Sequence, residues 1–125
     1  MACIVRHDSS VGIIEVVCVG RTTAEDLTEA ETKRISLEKE TGVTRTLIDV
    51  TKAQLSATTL DWLDLPRQLY ESLEANRRSH VAFVMPTAIE EHPSVYFYQT
   101  ACRNRGWTVE VFSERKTAID WLLSI

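Results

Sequence analysis

The chain has 125 residues, 44% hydrophobic and 26% charged, the size and balance of one globular domain around one core. Its net charge of −4 disfavours general nucleic-acid binding, because phosphate recognition leans on clustered Lys and Arg. No run approaches the roughly 20 apolar residues a spanning helix needs, and Met1-Ala2-Cys3-Ile4-Val5-Arg6-His7 lacks the apolar stretch of a secretory signal. A soluble cytoplasmic protein is therefore expected.

Residues 3–7 form a short β-like run, and Asp8-Ser9-Ser10 is turn material. Residues 12–19 are rich in β-branched side chains and predict a second strand closed by Gly20. The short link between the two favours an antiparallel hairpin. Thr23 can cap a helix with Glu25 and Asp26 in its first turn, and Gly42 can end it after about Thr41. Ala24, Leu27, Ala30 and Leu37 fall on one face of that helix. Glu29, Glu31, Lys33, Arg34, Glu38, Lys39 and Glu40 read as its solvated surface. Residues 43–50 predict the third strand, followed by a short hydroxyl-bearing loop. A helical region spans 58–75 with Pro66 inside. Proline cannot donate to the helical ladder, so the region is kinked, or a turn over 58–64 precedes a helix starting near Leu65.

Residues 79–85 predict the fourth strand, stopped by Pro86. Pro93 opens a third helix carrying Val95, Tyr98, Ala101 and Cys102 at helical spacing, with Gly106 as its end. Residues 107–112 alternate as a fifth strand. Ser113 caps a last helix whose apolar stripe is Ala118, Ile119, Leu122 and Leu123. The order over 1–125 is ββαβαβαβα: an α/β domain with a mostly parallel five-stranded sheet and an antiparallel edge strand.

Five segments carry a resemblance through their order and spacing. They are Gly20-Arg21-Thr22-Thr23-Ala24-Glu25-Asp26, Leu47-Ile48-Asp49-Val50-Thr51, Val81-Ala82-Phe83-Val84, Asn104-Arg105-Gly106, and Val111-Phe112 with Ala118-Ile119-Asp120-Trp121-Leu122. Together they resemble the STAS-like proteins, relatives of the anti-sigma factor antagonists, many of them uncharacterised. The resemblance covers nearly the whole chain. It implies a (βα)n superhelix with sequential strand order, and a small bacterial cytoplasmic domain that binds something and catalyses nothing. The antagonists carry a phosphorylatable Asp-Ser-Ser/Thr-Gly element at the helix start after the third strand. Here the region reads Gln54-Leu55-Ser56-Ala57-Thr58-Thr59-Leu60, which keeps the hydroxyls and lacks the Asp and Gly. Ser56, Thr58 and Thr59 are candidate phosphate acceptors there, or plain helix caps.

Asp49, with Thr51 beside it, sits where a parallel strand is expected to end. It can meet a partner or brace the following loop through its own side chain. Glu90-Glu91-His92 is the nearest approach to a metal cluster, but adjacent helical positions do not face one another. No metal or cofactor is expected, and His7 and His80 are isolated in sequence. Four glycines in the whole chain leave no phosphate-cradling loop, and no nucleophile motif is present.

Consecutive bulky residues in Val95-Tyr96-Phe97-Tyr98 cannot all enter one core, so Tyr96 or Phe97 should be exposed or covered by a partner. Trp62, beside the hydroxyl-rich loop, is a second such candidate; Trp107 and Trp121 default to the core. The cysteines Cys3, Cys18 and Cys102 are odd in number and fit no zinc spacing. Cys18 and Cys102 read as small core residues in a reducing compartment. Arg77-Arg78 and Arg103/Arg105 read as solvated helix ends.

Two functions are expected from these readings. One is a non-catalytic regulatory or protein-interaction domain, with a homodimer among its forms, meeting its partner through 51–66. The other is a carrier of a lipid or another small apolar ligand, in a pocket lined by Trp62, Leu65, Tyr70 and Phe97. Neither nucleic acid nor a membrane is an expected partner. An enzyme would need Asp49, His80 or Glu91 to converge in one cleft.

Overall fold

A computed structural model describes residues 2–125. Five strands lie side by side in chain order: β1 (Cys3–Asp8), β2 (Ile13–Thr23), β3 (Arg45–Ser56), β4 (His80–Val84) and β5 (Thr108–Phe112). β1 and β2 pair antiparallel, with Cys3 opposite Cys18 and Asp8 opposite Ile13. The other neighbours are parallel, and parallel neighbours require crossovers, which the helices supply. These are α1 (Ala24–Thr41), α2 (Thr59–Asp64) and α3 (His92–Arg103), and α4 (Arg115–Leu123) follows the last strand. The expected ββαβαβαβα order and antiparallel edge strand are present.

Side chains alternate across the sheet. Val16, Cys18, Ile48, Val50, Val81, Phe83 and Val109 point to one face, against Leu27, Ala30 and Ile35 of α1, Trp62 of α2, and Val95, Tyr98 and Cys102 of α3. Ile13, Leu47, Ala82 and Val84 point to the other, against Ala118 and Leu122 of α4. α1 opens with a reciprocal cap. The Thr23 side chain accepts the Asp26 N–H, and the Asp26 carboxylate accepts the Thr23 N–H at 2.9 Å. Gly42 closes α1 with φ 76°, a left-handed conformation that suits glycine.

Several boundaries differ from the sequence reading. β2 runs through Gly20, whose φ is 75°, and β3 runs on to Ser56. After an irregularity between Val17 and Val19, the two strands pair again from Val19↔Lys52 to Thr23↔Ser56. A bulge with a glycine beside it lets the strand turn without losing its partner, so residues 51–56 are strand and not loop. Pro66 stands at the start of a π-helical turn, Leu65–Tyr70, that continues α2 directly. Glu114, not Ser113, precedes α4, with no side-chain cap, and Leu123 is 47% exposed, so the buried stripe is narrower than expected.

The largest correction concerns α1. Glu31, Arg34 and Glu38 are 4%, 3% and 6% exposed rather than solvated. Arg34 donates through Nε to Glu31 at 3.2 Å, through Nη2 to Glu31 at 2.8 Å and through Nη1 to Glu38 at 2.7 Å. The Tyr70 hydroxyl donates to Glu31 and shares a 2.6 Å hydrogen bond with Tyr98. The π-helical turn and the chain after it cover this side of α1: Tyr70 reaches Glu31, and the Lys39 ammonium donates to the Leu73 carbonyl.

The cysteine reading also changes. Cys3 and Cys18, directly opposite on β1 and β2, are disulfide-bonded. A lasting disulfide belongs to an oxidising environment, so the free-thiol reading holds for Cys102 alone. Burial pushes the Cys102 thiol up to about 12, which marks it as an inert core residue.

Candidate interaction site

Pairing between β3 and β4 ends at Asp49↔Val84, and beyond it β3 continues beside β2 only. The open side of β3 is then satisfied by the segment after β4. The Thr87 N–H and hydroxyl both donate to the Thr51 carbonyl, at 3.3 and 2.7 Å. The Glu91 carboxylate accepts the Leu55 N–H at 2.6 Å. His92 Nε2 lies 2.8 Å from the Pro86 carbonyl, and Glu90 is exposed, so the acidic triplet diverges as helical geometry requires.

Asp49 lies at the level where β4 ends, with β3 running on past it. Its Oδ1 accepts the Thr51 N–H at 3.0 Å and the Thr51 hydroxyl at 2.7 Å; its Oδ2 accepts Arg115 Nη1 at 3.0 Å. Arg115 also binds Glu15, and Glu15 accepts Arg6 Nε at 3.0 Å. This chain of charges ties the start of α4 to β3, β2 and β1. Burial opposes the Asp49 charge, but the Thr51 amide and hydroxyl and the Arg115 guanidinium outweigh it and hold the carboxyl below its usual range. Both oxygens of Asp49 are engaged in bracing.

Thr58 caps α2. Its side chain accepts the Asp61 N–H at 3.2 Å, and the Asp61 carboxylate accepts the Thr58 N–H at 2.8 Å. Ser56 and Thr59 are exposed beside it. Trp62 is 1% exposed, with its ring centroid 5.5 Å from that of Tyr98 and 6.4 Å from that of Phe83. It is a core residue and not a surface candidate. Tyr96 and Phe97 are 51% and 38% exposed, while the flanking Val95 and Tyr98 are buried. Both middle residues of the bulky quartet therefore face outward.

Two of the exposed apolar residues that escaped the sequence reading lie on the segments after β3 and β4. Leu60, on the first turn of α2, is 56% exposed, and Ile89, between β4 and α3, is 76% exposed. Leu60 carried a readable signal: it lies two residues from Trp62, so a helix that buries Trp62 points Leu60 away. Ile89 carried none. The pocket expected between Trp62, Leu65, Tyr70 and Phe97 does not form, because the first three are packed into the core and Phe97 faces outward. A groove of about 460 Å³ lies elsewhere, between α1 and the α2–π segment. Three of the four arginines in the basic pairs are engaged: Arg77 lies 4.1 Å from the Trp107 ring centroid, Arg77 and Arg105 share Glu71, and Arg103 pairs with Glu110, while Arg78 is exposed.

No protein-family model matches the chain, and no curated protein matches it. Solved structures do. The anti-sigma factor antagonist SpoIIAA in its unphosphorylated form matches with a TM-score of 0.61 and 15% identity, over 99% of this chain and 100% of that one. Phosphorylated SpoIIAA, the Bacillus cell fate determinant, matches with a TM-score of 0.58 and 14% identity, over 96% and 98%. A DUF3478-family protein of SpoIIAA-like fold from Shewanella loihica PV-4 gives 0.55 and 19%, over 97% and 92%. The chain therefore has the SpoIIAA-like, STAS-like α/β fold. Among the described residues, no helix is long and apolar enough to cross a membrane.

Proposed function

We propose that this chain is a non-catalytic regulatory domain that binds a protein partner through the edge formed by the turns after β3 and β4. The observation that carries the reading is the exposure of Leu60, Ile89, Tyr96 and Phe97, all on segments that follow the carboxyl ends of those strands. Partners of open α/β sheets are met at this end, and exposed large apolar side chains are a feature of interfaces. The fold likeness to SpoIIAA, an anti-sigma factor antagonist, supports the regulatory part. Ser56 and Thr59, both exposed, are the hydroxyls better placed for modification, because the Thr58 hydroxyl is engaged in its cap. A phosphate there would add about −1.5 to −2 charges to the edge. The chain as one domain and a homodimeric form belong to the same proposal, whereas the Cys3–Cys18 disulfide weighs against the expected cytoplasmic location.

The test is affinity capture from the native host with quantitative mass spectrometry, using wild type, a Leu60→Ser/Ile89→Ser double variant, and Ile4→Ser. Ile4, 68% exposed on β1, lies away from the edge and serves as control. A partner retained by wild type and Ile4→Ser but lost by the double variant is expected. Identical capture by all three overturns the reading. Light scattering on the same proteins separates a foreign partner from a second copy of this chain.

A further inference from the structure

We propose that the groove between α1 and the α2–π segment binds a small amphiphile carrying a positive charge, of the alkylamine or quaternary ammonium class. The groove measures about 460 Å³, within the range of small-molecule sites. Its apolar side is Leu27 of α1 with Leu65 and Leu69 of the π-helical turn; its polar side includes Asp61, Asp64 and Gln68. No Lys, Arg or His is among the residues that line it.

Both carboxylates keep an oxygen for a ligand. Asp61 uses Oδ2 on the Thr58 N–H, and Asp64 uses Oδ1 on Arg67; the second oxygen of each has no hydrogen-bond partner among the described residues. An anionic ligand would meet the Asp61 carboxylate and an Asp64 carboxylate already paired with Arg67, and a neutral apolar one would desolvate the carboxylates with nothing in return. A cation on a short apolar body satisfies both sides at once.

The local backbone supports a binding role. Leu65–Tyr70 is π-helical, a geometry that recurs at functional sites. With more residues per turn than an α-helix, it allows Leu65, Leu69 and Tyr70 to share a side. Tyr70 thereby joins the buried network with Glu31, while Leu65 and Leu69 stay on the groove. A regular α-helix would swing residue 70 well away from residue 65.

The experiment is an amide NMR titration of the full chain with octyltrimethylammonium, octanesulfonate and octanol, each below its aggregation concentration. The cationic probe is expected to shift amides in 24–28 and 61–72 and to bind about tenfold or more tightly than either of the others. Gln68→Lys, which adds a cation at an exposed position on the rim, should weaken it about tenfold or more, and Asp64→Asn should weaken it too. Spectral dispersion reports that each variant is folded. Equal binding of the three probes, shifts confined to other segments, or no effect of Gln68→Lys overturns the proposal. So does a Leu/Lys peptide that shifts the same amides about a hundredfold more tightly, since that outcome assigns the groove to a protein partner. Leu60→Ser/Ile89→Ser should leave probe binding unchanged, so this site and the partner edge stand or fall separately.

Discussion

Replacing Arg34 with Met tests the buried charge network of α1 most directly. Methionine keeps much of the side-chain length and removes the charge. The Arg34 side chain is 4% exposed and donates three hydrogen bonds to two carboxylates that are equally buried. Bonds to charged groups contribute roughly 1.5–3 kcal/mol each, but these three share one guanidinium and do not add. Removing one partner of a buried ion pair costs about 3–5 kcal/mol, because the remaining charge stays desolvated. Two carboxylates are stranded here, so the upper part of that range is expected. That is a large share of the roughly 5–15 kcal/mol that stabilises a typical domain. Equilibrium urea unfolding should show a lowered midpoint with an unchanged slope.

The triple variant Glu31→Leu/Arg34→Met/Glu38→Leu removes the stranded charges as well. It should recover most of the loss and lie within about 2 kcal/mol of wild type, since apolar replacements of buried ion networks are often near neutral. The residual cost comes from Tyr70, which loses Glu31 as acceptor but keeps Tyr98. Glu38 Oε1 has no hydrogen-bond partner among the described residues, so Glu38→Leu alone should cost less than Glu31→Leu. A loss below about 1 kcal/mol for Arg34→Met would refute the reasoning, because that is the behaviour of a solvated pair. A triple variant as unstable as the single one would place the loss in packing rather than charge.

Two further predictions concern titration and thiols. The Asp49 carboxyl is held below its usual range, so its ionised form contributes stability above the unfolded pKa and loses it as pH falls through the folded one. Asp49→Asn should therefore be less stable than wild type near neutrality, and urea midpoints should converge as pH drops below about 5; a gap independent of pH would show that the ionised form of Asp49, held by Thr51 and Arg115, contributes nothing. Of the three cysteines, two are bonded and Cys102 is buried. Without reductant, a thiol reagent should find none in the native protein and one per chain after denaturation. Finding three in the unreduced, denatured chain would open the Cys3–Cys18 bond and restore the reducing-compartment reading.

What could be read from the sequence was what neighbours in the chain decide. The Thr23 cap of α1 and its Gly42 end were legible because each acts within a few residues. Pro66 announced a departure from regular α-helix because proline constrains its own turn. The fold-bearing alternation of strands and helices followed from local periodicity. At the candidate site, Tyr96 and Phe97 were legible for the same reason: four bulky residues in a row exceed what one helix face can bury. Asp49 was located, but its two engagements were not both visible. Thr51 is two residues away, whereas Arg115 lies across the fold on α4.

Tertiary structure decided the rest. Strand β3 reaches Ser56 because β2 continues past its bulge to pair with it and Glu91 closes the other side at Leu55. No property of residues 51–56 alone requires either partner. Glu31, Arg34 and Glu38 read as a solvated face because charge on a helix is solvated by default. They are buried because Tyr70, 39 residues after Glu31, brings a hydroxyl and a covering turn to them. Trp62 changed from surface candidate to core on the same account, since α3 and the sheet close over it. A sequence fixes backbone preference and the spacing of apolar groups over a few turns. Whether a charged or aromatic side chain meets water or another side chain depends on which distant element packs beside it, and that was settled only when the sheet and its helices came together.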